Sequence, residues 1–453
     1  MNPALLGLSL AMLSASLGTS SANVALPTLA RAFGAPFQAV QWVVIAYLLA
    51  ITASIVAFGR LGDVHGRRRA LMVALSLYGI ASIAACLAPA LPVLIAARAV
   101  QGLGAAGMMA LTVAFVGETV PKERIGSAMG LLGTTSSIGT ALGPSLGGML
   151  VATLGWRSIF FVHLALGAAA LVLARRLPPD RDRVKASFDH AGTLLLALSL
   201  AAYALSVTLG RGHFGAGNLA LLGAAGAGLA FFVRAERTAE APLLRLGLLA
   251  DRALARSLAA SAIVSCVVMT SMVVGPFYLS IALGLDTGLV GLTMSVGSVV
   301  AALTGFPAGR VVDRFGTRRA SLAGLAGIAT SALLLSLRPE SLGVPGYIAP
   351  MAALTASYAL FQAANNTGVL QQVEPAERGV VSGTLSLSRN LGLVTGTCVM
   401  GAVFALAAGA SDITTAPGHA VARGMRTSYA LAAALVAVAF TLLATSTPKG
   451  RTA

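Results

Sequence analysis

The sequence predicts an all-α membrane protein of two related six-helix bundles, with two further helices inserted between them. Three observations lead there. Of its 453 residues, 57% are hydrophobic and only 10% are charged, whereas soluble domains carry roughly a quarter charged residues. Fourteen apolar runs approach or exceed the ~20 residues that cross a bilayer. A glycine-acid-arginine segment also occurs twice, 250 positions apart (59 to 309). The mean hydropathy of +0.86 agrees.

The apolar runs lie near 5–26, 38–58, 70–89, 92–117, 126–152, 157–174, 190–209, 217–233, 257–282, 288–308, 320–337, 345–370, 379–408 and 425–445. The first lacks the basic flank of a cleaved signal, so it reads as a retained helix. Loops between runs alternate in charge. One set holds Arg67–Arg69, Lys122 and Arg124, the arginines between 175 and 183, those between 234 and 256, and Arg310–Arg319; the opposite set is sparse. Basic loops stay in the cytoplasm, and an even number of spans then puts both termini there. The same rule accounts for the net charge of +16 without a nucleic-acid partner. Abundant arginine, alanine and glycine point to a GC-rich bacterial genome and so to the inner membrane. Cys86, Cys266 and Cys398 all fall in apolar runs and read as small packing residues.

The halves repeat. Gly59-Arg-Leu61-Gly-Asp63-Val-His-Gly66-Arg67-Arg68-Arg follows the second run, and Gly309-Arg-Val-Val-Asp313-Arg-Phe-Gly316-Thr-Arg318-Arg follows the tenth. Gly130, Gly139, Gly143 and Gly148 return 253 positions later (130 to 383) as Gly383, Gly392, Gly396 and Gly401. The expected organisation is a bundle over 1–174, two inserted helices with connectors over 175–256, and a second bundle over 257–453. Ala235–Ser257 reads as an amphipathic helix on the cytoplasmic face. Repeats of this kind mark carriers whose site lies between two bundles.

Three motifs carry chemistry. In Gly59–Arg69 the glycines permit a tight turn, Asp63 can face a helix N-terminus, and the arginines can bridge to carboxylates or lipid phosphates. In Gly130-x8-Gly139-x3-Gly143-Pro144-x2-Gly147-Gly148, glycines clear one helix face for close approach and Pro144 bends the span. In Leu94-x3-Arg98-x2-Gln101-Gly102, an arginine sits inside a span, an expensive placement that signals function or a tie to polar groups such as Ser20, Ser21 and Asn23. These segments resemble the major facilitator superfamily, specifically its 14-span drug:proton antiporter branch, over nearly the whole chain. The resemblance implies that the first loop latches the cytoplasmic side in the outward-facing state. It also implies that the glycine helix marks an exporter and that Arg98 serves proton transfer.

One departure bears on coupling. In that branch an aspartate commonly precedes the proline of Asn23-Val-Ala-Leu-Pro27 by nine residues, and here that position is Gly18. All fifteen Asp and Glu residues fall in loops or at span ends. Three coupling devices remain: Glu118 in a charge network with Asp63, Arg67 and Arg68; His163, either a titrating group or a packing residue; or a weakly acidic substrate carrying the proton itself. Arg98 and Arg389 are then the fixed intramembrane charges, which favours neutral or anionic substrates over cations. Asn23, Gln101, Met109, Asn365, Asn366 and Arg389 are candidates for the cavity lining, with helix–helix packing the alternative for the amides and the methionine.

The expected activity is proton-driven export of amphipathic drugs or toxic metabolites, with import or facilitated passage of a small organic solute as the alternative. No cofactor is implied beyond the proton gradient. Lys122, Lys185 and Lys449 lack the neighbours of a phosphate-binding loop, which excludes an ATP-driven pump, and nothing points to an enzyme. A non-transporting receptor is disfavoured by gate motifs in both halves. The expected partners are lipid, substrate and proton; a monomer is expected, and the need for a periplasmic adaptor is open.

Overall fold

The computed structural model describes residues 3–119, 125–177, 190–209, 215–238, 247, 250–337, 342–371, 378–409 and 412–445. In lipid, a long apolar run must satisfy its backbone internally, and these runs become helices. The first half holds α1 (Pro3–Phe33), α2 (Phe37–His65), α3 (Arg67–Cys86), α4 (Leu91–Thr119), α5 (Ile125–Leu154) and α6 (Arg157–Ala174). Then come α7 (His190–Thr208) and α8 (Ala216–Thr238). The second half holds α9 (Arg252–Phe277, ending in a π turn Tyr278–Ala282), α10 (Thr287–Phe315), α11 (Thr317–Leu337) and α12 (Gly343–Gln371). It closes with α13, which runs from Arg378–Thr395 through a π turn Gly396–Met400 into Gly401–Ala408, and α14 (Gly418–Ala444). Thirteen of the described helices are long and apolar enough to cross a membrane, and α5 has a shorter apolar stretch, Ile138–Leu154. Of the connector 235–257, residues 239–246, 248 and 249 lie outside the described residues; its first part is the end of α8 and its last part the N-terminus of α9, capped by Asp251.

Packing repeats with the sequence. α1 packs on α5, α2 and α3 on α4, and α3 on α6; correspondingly α9 packs on α13, α10 and α11 on α12, and α11 on α14. The halves meet along α5–α10, α2–α13 and α1–α9, while α7 and α8 pair with each other and α7 lies against α2.

The buried apolar clusters show where the halves are joined. At the ends away from the basic loops, one cluster takes Leu26, Leu29, Phe37 and Val44 from the first half with Phe277, Tyr278, Phe404 and Ile413 from the second. Toward the basic loops the clusters separate. Leu8, Met12, Leu71 and Phe115 belong to a cluster confined to the first half, and Leu254, Leu258, Val369 and Leu385 to one confined to the second. The bundles are closed together on one side of the membrane and keep separate cores on the other.

Candidate functional site

The two repeated loops are tighter than the sequence suggested. Gly59 and Gly309 are not turn residues: each lies inside a helix, α2 or α10, with open space where a side chain would go. Only the last glycine turns the chain. Gly66 has φ 99° and Gly316 has φ 83°, a region that costs other residues strain, and α3 or α11 starts at the next residue. Leu61 is half-buried and Asp313 exposed, while the side chains of Asp63 and Glu118 lie outside the described residues. Arg67 donates to Ala114 O on α4 at 3.4 Å. Arg68 donates to Arg175 O, just past α6, at 2.6 Å, and Arg318 donates to Ala444 O, ending α14, at 2.7 Å. These two contacts are equivalent. In each half a loop arginine caps the negative end of that half's last helix, clamping α3 to α6 and α11 to α14.

The glycine face of α5 also divides between two neighbours. A Cβ on Gly139 would lie 2.7 Å from Leu13 O, and one on Gly147 would lie 2.8 Å from Ser21 O. On Gly143 it would strike Ser20 Oγ. These three glycines seat α5 on α1, inside the first half. Their counterparts do the same in the second half, Gly392 against Ala262 O and Gly396 against Cys266 O on α9. Gly148 and its counterpart Gly401 cross instead: Gly148 meets the backbone of Gly291 on α10, and Gly401 the side chain of Gln41 on α2. Pro144 is buried, and the surroundings of Gly130 lie outside the described residues. The division follows from helix geometry. Positions 139, 143 and 147 share a face by their spacing of four, whereas 148 is turned ~100° from 147.

Arg98 is fully buried and belongs to a network across five helices. Its Nε donates to Val43 O (2.9 Å), one terminal nitrogen to Gln101 Oε1 (2.6 Å) and the other to Gly18 O (2.8 Å). Its guanidinium lies 3.9 Å from the centre of the Tyr47 ring, a favourable cation–π placement. Gln101 passes the network to Ser82 Oγ (2.8 Å) and His163 Nδ1 (3.3 Å), and His163 Nε2 pairs with Ser21 Oγ (3.1 Å). The tie to α1 is therefore the Gly18 carbonyl and not Ser20 or Asn23. His163, on α6, is fully buried and bonded through both nitrogens.

The place of the absent aspartate is occupied. A Cβ at Gly18 would lie 2.5 Å from Tyr47 Oη and 3.2 Å from Tyr78 Oη. Those hydroxyls donate to Ala15 O (2.7 Å) and Ser14 O (2.9 Å). Carbonyls, an amide and a ring thus surround the guanidinium, with no carboxylate among its described partners. The sequence signal for the tyrosines was weak, because aromatic residues in a span ordinarily pack. The second half keeps a reduced version: Tyr429 Oη donates to Ser271 Oγ at 2.9 Å, between α14 and α9.

The cavity candidates also separate. Asn23 and Gln101 are fully buried, and Asn365 nearly so, with its amide 3.4 Å from Ser257 O. Asn23 donates to Thr19 O and Ser20 O of its own helix. Amides in apolar surroundings turn inward to find partners, and these three therefore do not line an open space. Met109, Asn366 and Arg389 are half-buried, and Arg389 lies within electrostatic reach of Tyr358. One buried acid was missed. Glu236 is 4% exposed, in the last turn of α8, because that helix continues to Thr238 beyond the apolar run that ends near 233.

Two matches to the family model described as Major Facilitator Superfamily cover residues 8–397 and 257–452, the second falling within one repeat. The chain belongs to this superfamily. It is 34% identical to the multidrug resistance protein Stp of Mycobacterium tuberculosis over 84% of this chain and 72% of that one. It is 32% identical to the drug efflux pump JefA of the same species, over 86% and 77%. It is 28% identical to the riboflavin transporter RibZ of Clostridioides difficile, over 84% of each. Among solved structures, a D-xylose-proton symporter superposes with a TM-score of 0.71 at 15% identity, over 99% of this chain and 98% of that one. The human organic anion transporter MFSD10 gives 0.66 at 17% identity, over 97% and 99%. At these identities the structural likeness bears on the fold alone. The protein is a multi-pass membrane protein and a secondary transporter, not an enzyme.

Proposed function

We propose that this protein is a 14-span exporter in a bacterial inner membrane, with both termini cytoplasmic, that expels amphipathic drugs or toxic metabolites by alternating access with proton antiport. The observation that carries the reading is the α5 glycine face, with Gly148 resting on Gly291 across the seam. Backbone contact without side chains lets two bundles tilt against each other without unlocking interdigitated groups. Relatives named for multidrug resistance and drug efflux support the direction. With the basic loops cytoplasmic, the joined ends are the outer side, and the separate cores face the cytoplasm.

The preference for neutral or anionic substrates now rests on Arg389. Arg98 directs its charge to groups inside the first bundle, whereas Arg389, on α13, is half-buried. The test is a drug-susceptibility panel in an efflux-deficient host, comparing wild type with Asp63→Asn and Arg98→Ala at equal expression. Loss of a specific resistance in both variants is expected; unchanged resistance in both overturns the roles assigned to them. Robust resistance to quaternary ammonium dyes alone would overturn the charge preference. A second reading is uptake or facilitated passage of a small organic solute, one relative being named a riboflavin transporter, and the direction of transport in oriented vesicles decides between them.

A further inference from the structure

One group of contacts joins the halves around Gly401, the second-half counterpart of Gly148. α2 starts at Phe37 with no side-chain cap from its own end. Asp412, in the second half, stands there instead: its Oδ1 accepts the Thr414 amide at 3.0 Å and lies 3.5 Å from Phe37 N. A carboxylate at a helix N-terminus is electrostatically favourable. The Phe37 ring, fully buried, meets Phe277 edge-on at 4.8 Å and Phe404 at 5.7 Å, both in the second half.

One turn further along the same face, buried Gln41 donates its amide to Thr397 O at 3.2 Å. Thr397 lies in the π turn Gly396–Met400, where the widened backbone pattern leaves room for an outside donor. Gly401 follows at once, and a Cβ there would collide with the Gln41 amide. The Gln41 side chain therefore fills a recess that exists because residue 401 has no side chain. All of these contacts sit at the ends away from the basic loops, where one apolar cluster spans both halves.

We propose that Phe37 and Gln41, received by Asp412, Thr397 and Gly401, are the latch that holds the outer side closed, with Gln41 its positioning residue. The assignment to the outer side rests on the orientation proposed above. The two seams then differ in kind. On α5–α10, glycine backbones touch; on α2–α13, a polar peg enters a hole, and opening exposes both its donor and its acceptor to entering water. A bond exchanged for water in this way has modest net strength, about a fivefold effect on an equilibrium, which suits a contact that must break in every cycle.

Spin labels at Ala90→Cys and Thr415→Cys, exposed positions at the outer ends of opposite halves, report the opening. The background replaces Cys86, Cys266 and Cys398 by serine, and the protein is measured in lipid nanodiscs. Gln41→Ala and Gly401→Val are each expected to raise the long-distance population, by about fivefold in the open-to-closed ratio for Gln41→Ala. The isosteric Gln41→Glu, which sets a carboxylate against the Thr397 carbonyl, is expected to raise it further. The unfolding temperature of Gln41→Ala should stay near the parent's, as a purely structural role would not allow. Unchanged distances in Gln41→Ala and Gly401→Val overturn the proposal; if Gly401→Val does not fold, Phe37→Leu is read in its place. Distances that shift in a parent that exports nothing overturn the exporter reading and leave the latch. Export by the parent with unmoved distances does the reverse.

Discussion

Gly148→Ala is the smallest change that tests whether the α5–α10 seam moves as a smooth contact. A Cβ on Gly291 would lie 2.6 Å from Gly148 Cα, and the reciprocal Cβ on Gly148 comes closer still to Gly291. Non-bonded carbons rest about 3.5–4.0 Å apart, so either alanine must push the helices apart by roughly 1 Å. Overpacking of this kind costs about 1–3 kcal/mol, and the cost falls on conformations in which residues 148 and 291 touch. The expected result is a shift of roughly 5- to 150-fold away from the outward-closed state. Efflux should fall while expression and membrane insertion remain normal. Gly291→Ala should behave alike, and the double variant should fall short of the sum, because the first methyl group already opens the gap. The assay is accumulation of an exported compound in cells at matched expression, paired with outer-end spin-label distances. Gly59→Ala is the control, since nothing lies within 4 Å of its added methyl group. If Gly148→Ala and Gly291→Ala match wild type in both measurements, the seam is not a moving contact and the reasoning fails.

Other residues give separate tests. Gly66→Ala should cost about 1–3 kcal/mol of strain at φ 99° and impair activity, while Gly59→Ala in the same motif is tolerated; equal effects would refute the division between turn and helix glycines. Arg98→Ala leaves Gly18 O, Val43 O and Gln101 Oε1 without their shared donor. At about 1–3 kcal/mol for each buried acceptor left unsatisfied, it should lower the unfolding temperature of the purified protein well beyond Arg389→Ala. Arg98→Lys, with one nitrogen for three acceptors, should recover only part. Arg389→Gln should weaken export of anionic compounds relative to neutral ones with no loss of stability, read as the ratio of resistance levels. Tyr429→Phe removes one buried hydrogen bond to Ser271 and should cost about 1 kcal/mol in thermal unfolding.

How much of this was legible in the sequence depended on whether the signal was periodic or relational. The helices and the duplication were legible because a bilayer imposes length and apolarity on every span, and because the glycines and arginines recur at fixed offsets. Which neighbour each glycine faces was not legible. Gly147 and Gly148 are adjacent in the chain, yet one rests on α1 and the other on α10, and only the rotation of α5 decides between them. Arg98 makes the same point for chemistry. An arginine in a span with no acid nearby in the sequence reads as a charge for substrate or proton. Two of its three acceptors are the carbonyls of Gly18 and Val43, which every residue carries and no pattern marks. The missing side chain at position 18 and the tyrosines at 47 and 78 are one feature seen from three helices: removing the acid makes room for two rings, and those rings leave the guanidinium dry. That arrangement is suited to holding α1, α2 and α4 together as a rigid body. A bundle that rocks as a unit needs such a strut in its interior and contacts that part at its seams, and the residues divide in that way: Arg98, Gln101 and His163 inside, Gly148 and Gln41 at the two edges.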